Sequence, residues 1–261
     1  MPKKSRLASP RSPARSAATR RRPSASRLAL ETIKDLVAAN RILAHYEVLD
    51  AFGHVSARHP DDPGRFLISQ SRAPELVTAA DVMVLDLDGK PAEGDVRRPY
   101  LERFIHGEIY RVRPEVTAIV HSHAPAVIPF AASSVTLQPI YHMAGFLGRG
   151  APVFDIRKRF GPTDLLVRNN DHGRALAESL GDSDVALMRG HGYVVVASSM
   201  PTAVYRAIYT QLNAELQQRA ITLGGSLTYL VPEEAALTVP VQELTIMRPW
   251  ELWKRKIGLT K

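Results

Sequence analysis

The sequence predicts one α/β domain in which amphipathic helices alternate with short, mainly antiparallel strands. A chain of 261 residues with 45% apolar residues is long enough to bury one large core. Several stretches carry apolar residues at three- and four-residue spacing, which is typical of helices with one buried face. Other stretches are short β-branched runs closed by turn sequences such as Asp88-Gly89, which are typical of strands joined by hairpins.

The predicted elements follow one another in a regular order. Helix boundaries are taken from turn and capping residues, such as Pro114 after the second helix and Gly224-Gly225 after the last long one. The predicted helices cover residues 28–49, 99–112, 127–132, 172–180 and 201–223, and the predicted strands cover residues 54–58, 66–69, 82–87, 116–120, 135–143, 152–156, 185–188 and 193–197.

The net charge of +8 is concentrated at the N-terminus. Residues 1–27 contain nine basic residues and no acidic one, whereas the rest of the chain has 25 basic and 26 acidic residues. The first 27 residues also have few large apolar side chains, so we expect a disordered basic tail. The near-neutral remainder argues against a nucleic-acid-binding face, and at most weak contact through the tail is expected.

The remaining chain is expected to form a domain at residues 28–230 and a C-terminal extension at residues 231–261. The extension, which carries Trp250 and Trp253, is expected to pack on the domain or on a neighbouring subunit. No apolar segment with a cleavage site follows the basic tail, so we expect a cytoplasmic protein without a membrane anchor.

Two histidines at the end of a predicted strand give the clearest chemical signal. Because side chains alternate along a strand, His121 and His123 leave it on the same side and could bind one metal ion. The chain has no cysteine, so any metal must be bound by nitrogen and oxygen ligands. His191 lies between two glycines and two apolar strands and could be a third ligand, although this pattern also suits a turn histidine that faces water.

These motifs together resemble the class II aldolase/adducin family over roughly residues 28–225. The resemblance rests on the ordered segments GHVSARH, HSHAP and MRGHG, and on the predicted helix that carries Glu102. It implies a three-layer α/β/α sandwich with a mainly antiparallel central sheet. It also implies a divalent metal ion and a homotetramer with active sites between subunits.

Applied residue by residue, the resemblance implies that His121, His123 and His191 bind the metal. Glu102 would be the fourth ligand, or an acid/base that the substrate displaces from the metal. Three imidazoles and an exchangeable carboxylate leave a position for a chelating substrate. Zinc, manganese, iron(II) and cobalt all suit such a site.

The positions at which this chain differs from the family pattern indicate which class of substrate it binds. Sugar-phosphate members carry small hydroxyl and amide residues where this chain has Tyr100-Leu101, His54 and Ser71-Arg72, which argues against a phosphorylated substrate. We expect a small-molecule carboxylate instead, with Arg72 contacting the carboxylate and Tyr100 or His54 stacking or hydrogen bonding. His142 falls near the catalytic tyrosine of those members and could protonate a carbanion, or only hydrogen-bond backbone.

The pattern is most similar to the branch of metal-dependent decarboxylases that act on hydroxylated aromatic or pyridine dicarboxylic acids. The expected function is therefore a lyase that decarboxylates a hydroxylated aromatic or heteroaromatic acid, in aromatic catabolism, through a metal-stabilised enolate. An aldolase for a non-phosphorylated hydroxy-keto acid and a non-heme iron(II) oxygenase for an arylpyruvate are alternatives. A non-enzymatic adducin-like scaffold is a further alternative, although the presence of Glu102 with all three histidines argues against it.

Overall fold

A computed structural model describes residues 26–259 of the chain. The predicted disordered tail at residues 1–27 lies almost entirely outside the described residues. Between residues 26 and 259, seven strands form one sheet in the order β3-β2-β1-β4-β7-β6-β5, and every pair is antiparallel except β5–β6. The strands are β1 (His54–Arg58), β2 (Arg65–Ser69), β3 (Val82–Asp86), β4 (Ala118–Ser122), β5 (Val153–Phe154), β6 (Val185–Met188) and β7 (Gly192–Ala197).

Serine residues cap the N-termini of the two longest helices. Ser26 and Ser199 accept hydrogen bonds from the first turns of two long helices, and Gly224 ends the second of them. Three 3-10 helices lie at Pro74–Leu76, Ala79–Asp81 and His142–Arg149. The α-helices are α1 (Arg27–His45), α2 (Phe104–Val112), α3 (Ile128–Ala132), α4 (Arg157–Phe160), α5 (Asn170–Leu180), α6 (Met200–Leu223), α7 (Pro232–Thr245) and α8 (Met247–Lys256).

Two apolar cores lie on opposite faces of the sheet. Side chains of α1, α6 and α8 pack on one face, where Val120 of β4 is buried. Side chains of α2 and α5 pack on the other face, where the next residue back, Ile119, is buried. Alternate residues of the central strands thus serve different cores, as the two-residue period of a strand requires. The predicted three-layer α/β/α sandwich with a mainly antiparallel sheet is confirmed.

Strand register brings the predicted histidines to one end of the sheet. His54 of β1 is paired with His121 of β4, and Ser122 is paired with Tyr193 of β7. The turn between β6 and β7 therefore lies beside the end of β4, and it carries His191. Residues far apart in the sequence meet because β4 is the central strand of the sheet.

The predicted strand at residues 135–143 is wrong. The segment pairs with side chains of α6 instead of with another strand. The side chain of Asn213 accepts a hydrogen bond from the Ile140 N–H and donates one to the Gln138 carbonyl. The side chain of Gln217 accepts a hydrogen bond from the Gln138 N–H and donates one to the Thr136 carbonyl. Its apolar and β-branched residues thus belong to an extended segment outside the sheet, because helix amides satisfy its backbone.

Other predicted boundaries need correction. The helix predicted at residues 99–112 begins only at Phe104, so Glu102 lies in the turn before α2. The strand predicted at 152–156 is reduced to Val153–Phe154, and α1 ends at His45 instead of near residue 49. The early end of α1 is followed by Glu47 with a positive φ of 56°, which an α-helix does not permit.

The C-terminal extension forms α7 and α8. Trp250 and Trp253 of α8 are only 1% and 5% exposed and join the core beside α1 and α6 of the same chain. Helix α7 packs on the 3-10 helix at 142–149, where Gly145 and Gly148 leave no room for a Cβ atom against Thr238 and Ala235. None of the helices described between residues 26 and 259 has the length and hydropathy of a membrane span.

Candidate metal centre

Four predicted ligands converge at the end of β4. The Nε2 atoms of His121 and His191 each lie 3.0 Å from Nε2 of His123. A carboxylate oxygen of Glu102 lies 3.6 Å from Nε2 of His121 and 3.4 Å from Nε2 of His191. One ligand atom from each residue lies within 4.8 Å of all the others.

Backbone groups orient three of these side chains. His121 donates its Nδ1 proton to the Tyr193 carbonyl over 3.1 Å, and His191 donates its Nδ1 proton to the Leu165 carbonyl over 2.9 Å. The neutral form of each ring then carries a lone pair on Nε2, pointing into the cluster. Glu102 accepts a hydrogen bond from the Val167 N–H over 2.9 Å, which leaves its other oxygen for the cluster.

This donor set fits a divalent metal ion. His123 can donate at most one Nε2 proton, yet its Nε2 faces two other nitrogens that carry lone pairs. Lone pairs directed at one another at 3.0 Å repel unless a cation lies between them. Three imidazole nitrogens with one carboxylate oxygen are ligands that zinc, manganese, iron(II) and cobalt accept.

The charges of the cluster agree with such an ion. Burial raises the pKa of Glu102, but hydrogen bonds with His121 and His191 outweigh it and hold that pKa well below its usual range. Burial, with the neighbouring imidazoles, lowers the pKa of His123 to about 3. Burial also lowers the pKa of His121, whereas contact with Glu102 raises the pKa of His191 against the effect of burial. The cluster thus combines an anionic carboxylate with two rings, those of His121 and His123, whose neutral form is favoured.

A cavity of about 420 Å³ lies against the cluster. The predicted substrate-binding residues His54, Ser71, Arg72 and Tyr100 all line it, together with Glu102 and His123. The ring centroid of Tyr100 lies 4.7 Å from that of His54, but the Tyr100 hydroxyl is already bonded to Ser69 and to the Arg72 carbonyl. Tyr100 therefore offers the cavity its ring and not its hydroxyl.

The structure does not bring His142 to this cluster within one chain. His142 is exposed and lines a different cavity, of about 840 Å³, between the 142–149 segment, α6 and the C-terminal helices. Its backbone carbonyl accepts a hydrogen bond from Gln242 of α7.

Sequence reasoning missed several residues that support the site. Leu165 and Val167 act only through backbone groups, so no residue type could have marked them. His106, Ser56 and Tyr110 form a buried hydrogen-bonded chain that begins at His54. The available signal was the position of His106 four residues after Glu102, because within the helix predicted at residues 99–112 this spacing puts both on one face.

Asp81 supports the loop that carries Arg72. Its buried carboxylate accepts hydrogen bonds from Thr78, from the Gln70 side chain and from Arg72. Burial raises the pKa of Asp81, but the hydrogen bonds from Thr78 and Gln70 outweigh this and lower the pKa to about 2.

Asp81→Asn is expected to lower the free energy of unfolding at pH 7 by about 2 kcal/mol, because buried donors lose a charged acceptor. A carboxyl with a lowered pKa stabilises the fold above about pH 4, its ordinary pKa when unfolded, and that contribution is lost as the pH falls toward 2. Urea titrations should show the difference between wild type and variant shrinking over this range. A difference that does not change with pH would contradict the assignment.

Comparison with known proteins agrees with this geometry. Residues 34–218 match the Class II Aldolase and Adducin N-terminal domain. The decarboxylase tropJ of Talaromyces stipitatus is 39% identical over 86% of this chain and 93% of that protein. A 3,4-dihydroxyphthalate decarboxylase of Arthrobacter keyseri is 32% identical over 76% of this chain and 82% of that protein.

A solved structure shows the same architecture. The aldolase II superfamily protein from Pseudomonas syringae superimposes with a TM-score of 0.75 over 90% of this chain and 94% of that one, at 22% identity, which shows the fold alone. The curated relatives and the matched domain place this chain among lyase enzymes. The matched domain and the 39% identity to tropJ show that the chain belongs to the class II aldolase and adducin family.

Proposed function

We propose that this lyase is a divalent-metal-dependent decarboxylase of a hydroxylated aromatic or heteroaromatic carboxylic acid. The observation that carries the proposal is the convergence of three Nε2 atoms and one carboxylate oxygen beside a cavity that Arg72 lines. The similarity to tropJ and to a dihydroxyphthalate decarboxylase supports decarboxylation as the reaction.

His121, His123, His191 and Glu102 would bind the ion. A divalent ion bound by these residues supplies Lewis acidity that stabilises negative charge on substrate oxygens. Hydrogen bonds to the Tyr193 and Leu165 carbonyls keep the rings of His121 and His191 in the orientation that metal binding needs.

The residues of the cavity would orient the substrate. Arg72 can bind a carboxylate through two N–H groups, and its partial exposure leaves part of the guanidinium free beyond the 3.3 Å contact with Asp81. The ring of Tyr100 forms a flat wall against which an aromatic ring can lie. In the net reaction the bond between the ring and the carboxylate carbon breaks and carbon dioxide leaves. The electron pair of that bond stays on the ring as an enolate-like anion, and a proton then takes the place of carbon dioxide.

The test measures carbon dioxide release and oxygen uptake together. Chelator-treated protein is loaded with zinc, manganese, iron(II) or cobalt and assayed with ortho-hydroxy aromatic acids, including 3,4-dihydroxyphthalate and salicylate. Metal-dependent carbon dioxide release without oxygen uptake is the expected result. Oxygen consumption would favour an oxygenase, aldehyde or pyruvate release from hydroxy-keto acids would favour an aldolase, and failure to bind any metal would overturn the proposed centre.

We propose His142 as the proton donor of a neighbouring subunit's site. His142 is exposed and lies away from the cluster of its own chain, so this role requires a second copy of the chain. The requirement agrees with the predicted homotetramer and with class II aldolase relatives, which are typically oligomeric.

His142→Ala is accordingly expected to retain bound metal but to lose about 100-fold in kcat, the lower range for loss of a general acid. Metal analysis and steady-state kinetics on the same preparation check this. Full turnover in the variant would remove His142 from the mechanism.

A further inference from the structure

A chain of four buried polar side chains runs from the cavity wall into the core. Nδ1 of His54 lies 2.6 Å from Nε2 of His106, whose Nδ1 lies 2.6 Å from the Ser56 hydroxyl. The Ser56 hydroxyl in turn lies 2.8 Å from the hydroxyl of Tyr110. All four residues are 3% exposed or less, so the polar atoms that face one another along this series must satisfy one another by hydrogen bonds.

The Tyr110 hydroxyl, at the end of the series away from the cavity, determines which atom donates in each hydrogen bond. The Tyr110 hydroxyl has two acceptors within reach, the Ser56 oxygen at 2.8 Å and the Thr117 carbonyl at 3.5 Å. The Thr117 carbonyl already accepts the Arg58 N–H over 2.8 Å, and 3.5 Å is longer than the about 2.5–3.0 Å of an ordinary O–H···O hydrogen bond, so the buried Tyr110 hydroxyl donates to Ser56. Ser56 has one proton and then donates it to Nδ1 of His106. His106 therefore carries its proton on Nε2 and donates it to Nδ1 of His54.

The near end of the chain is a hydrogen-bond donor in the cavity. Since Nδ1 of His54 accepts from His106, the neutral His54 ring carries its proton on Nε2. Among residues 26–259, Nε2 of His54 has no hydrogen-bond partner, and His54 lines the cavity beside Arg72 and Tyr100.

We infer that the chain from Tyr110 to His106 fixes His54 as a neutral Nε2–H donor to an anionic oxygen of the substrate. His106 is then a positioning residue, acting through His54. The inference rests on the proposed function for the substrate, whereas the tautomer follows from the hydrogen bonds alone.

The tautomer can be observed without an assay of the reaction. Zinc-loaded full-length protein labelled with ¹⁵N-histidine is measured by solid-state NMR, and His54→Gln identifies the His54 signals by difference. We expect a protonated Nε2 and an unprotonated Nδ1. The opposite pattern would mean that Tyr110 donates to Thr117 and would overturn the inference.

Contact with the substrate oxygen is tested with salicylate as a probe. Salicylate at saturation should shift the His54 Nε2 signal, and an unchanged signal would overturn the role of His54 as donor. If the tautomer and the shift are observed but wild type releases no carbon dioxide from any acid, the proposed reaction fails while the donor role stands.

Two variants of His106 test the positioning role. His106→Gln keeps an N–H that can reach His54, whereas His106→Leu removes it. We expect His106→Leu to retain bound zinc, to show mixed His54 tautomers and to lose about 10- to 100-fold in turnover, the range for a hydrogen bond to a charged group. His106→Gln should keep the tautomer and most of the turnover. Equal kinetics in wild type and a zinc-loaded His106→Leu protein would remove His106 from this role.

Discussion

His123→Ala is expected to leave the purified protein with less than stoichiometric metal and to lower turnover by at least about 1,000-fold. His123 is the middle member of the cluster, since its Nε2 contacts Nε2 of both His121 and His191. Loss of a residue that only supports a ligand costs about 10- to 100-fold in metal affinity or activity, and loss of the ligand itself should cost more. Elemental analysis and carbon dioxide release on one preparation measure both effects.

The matched control is His45→Ala, which removes an exposed histidine at the end of α1. It should keep the metal content and turnover of wild type. Turnover retained by His123→Ala would refute the three-histidine centre, and equal losses in both variants would point to general damage instead.

Gly192→Ala is expected to lower the free energy of unfolding by about 3 kcal/mol and to disturb metal binding. A Cβ atom at this position would overlap the carbonyl oxygen of Ser122 and would lie 3.1 Å from Cδ2 of His123. Backbone atoms of two paired central strands cannot move apart without loss of their hydrogen bonds, so the cost lies at the upper end of the range for overpacking. Thermal unfolding and zinc titration measure the two consequences.

Gly161→Ala serves as the control for glycine replacement. Gly161 has a φ of +70° but open space where a Cβ would lie, so only conformational strain of about 1 kcal/mol is expected. A Gly192→Ala protein no less stable than Gly161→Ala would contradict the close approach of β7 to the end of β4.

The sequence predicted those parts of the fold that local patterns determine. The strand at His54–Arg58 and the strand at Val185–Met188 were predicted with the observed bounds, because each is a short stretch between a glycine or turn on either side. The failed strand at 135–143 has a similar pattern, but its partners are the side chains of Asn213 and Gln217 on α6. No local pattern reveals that a helix amide and not a strand will satisfy a backbone group.

The same distinction holds for the candidate site. Residue types and the family resemblance were enough to propose Glu102 and the three histidines, which the structure brings together, while their roles stay predictions. The hydrogen bonds of the Leu165 carbonyl with His191 and of the Val167 N–H with Glu102 could not be predicted, because almost any residue supplies the same backbone groups. The role proposed for His142 requires a second copy of the chain, which one sequence does not describe.

The packing of α7 on the 142–149 segment has a consequence for how this enzyme could diversify. The matched family domain ends at residue 218, whereas α7 begins at Pro232, so the support for His142 lies outside the shared domain. Gln242 of α7 bonds the His142 backbone directly. Substitutions in α7 can therefore shift the segment that carries His142 without changing the candidate metal ligands, which lie outside α7. A library restricted to residues 232–245 would therefore vary the position of the proposed proton donor while the residues proposed to bind the metal stay the same.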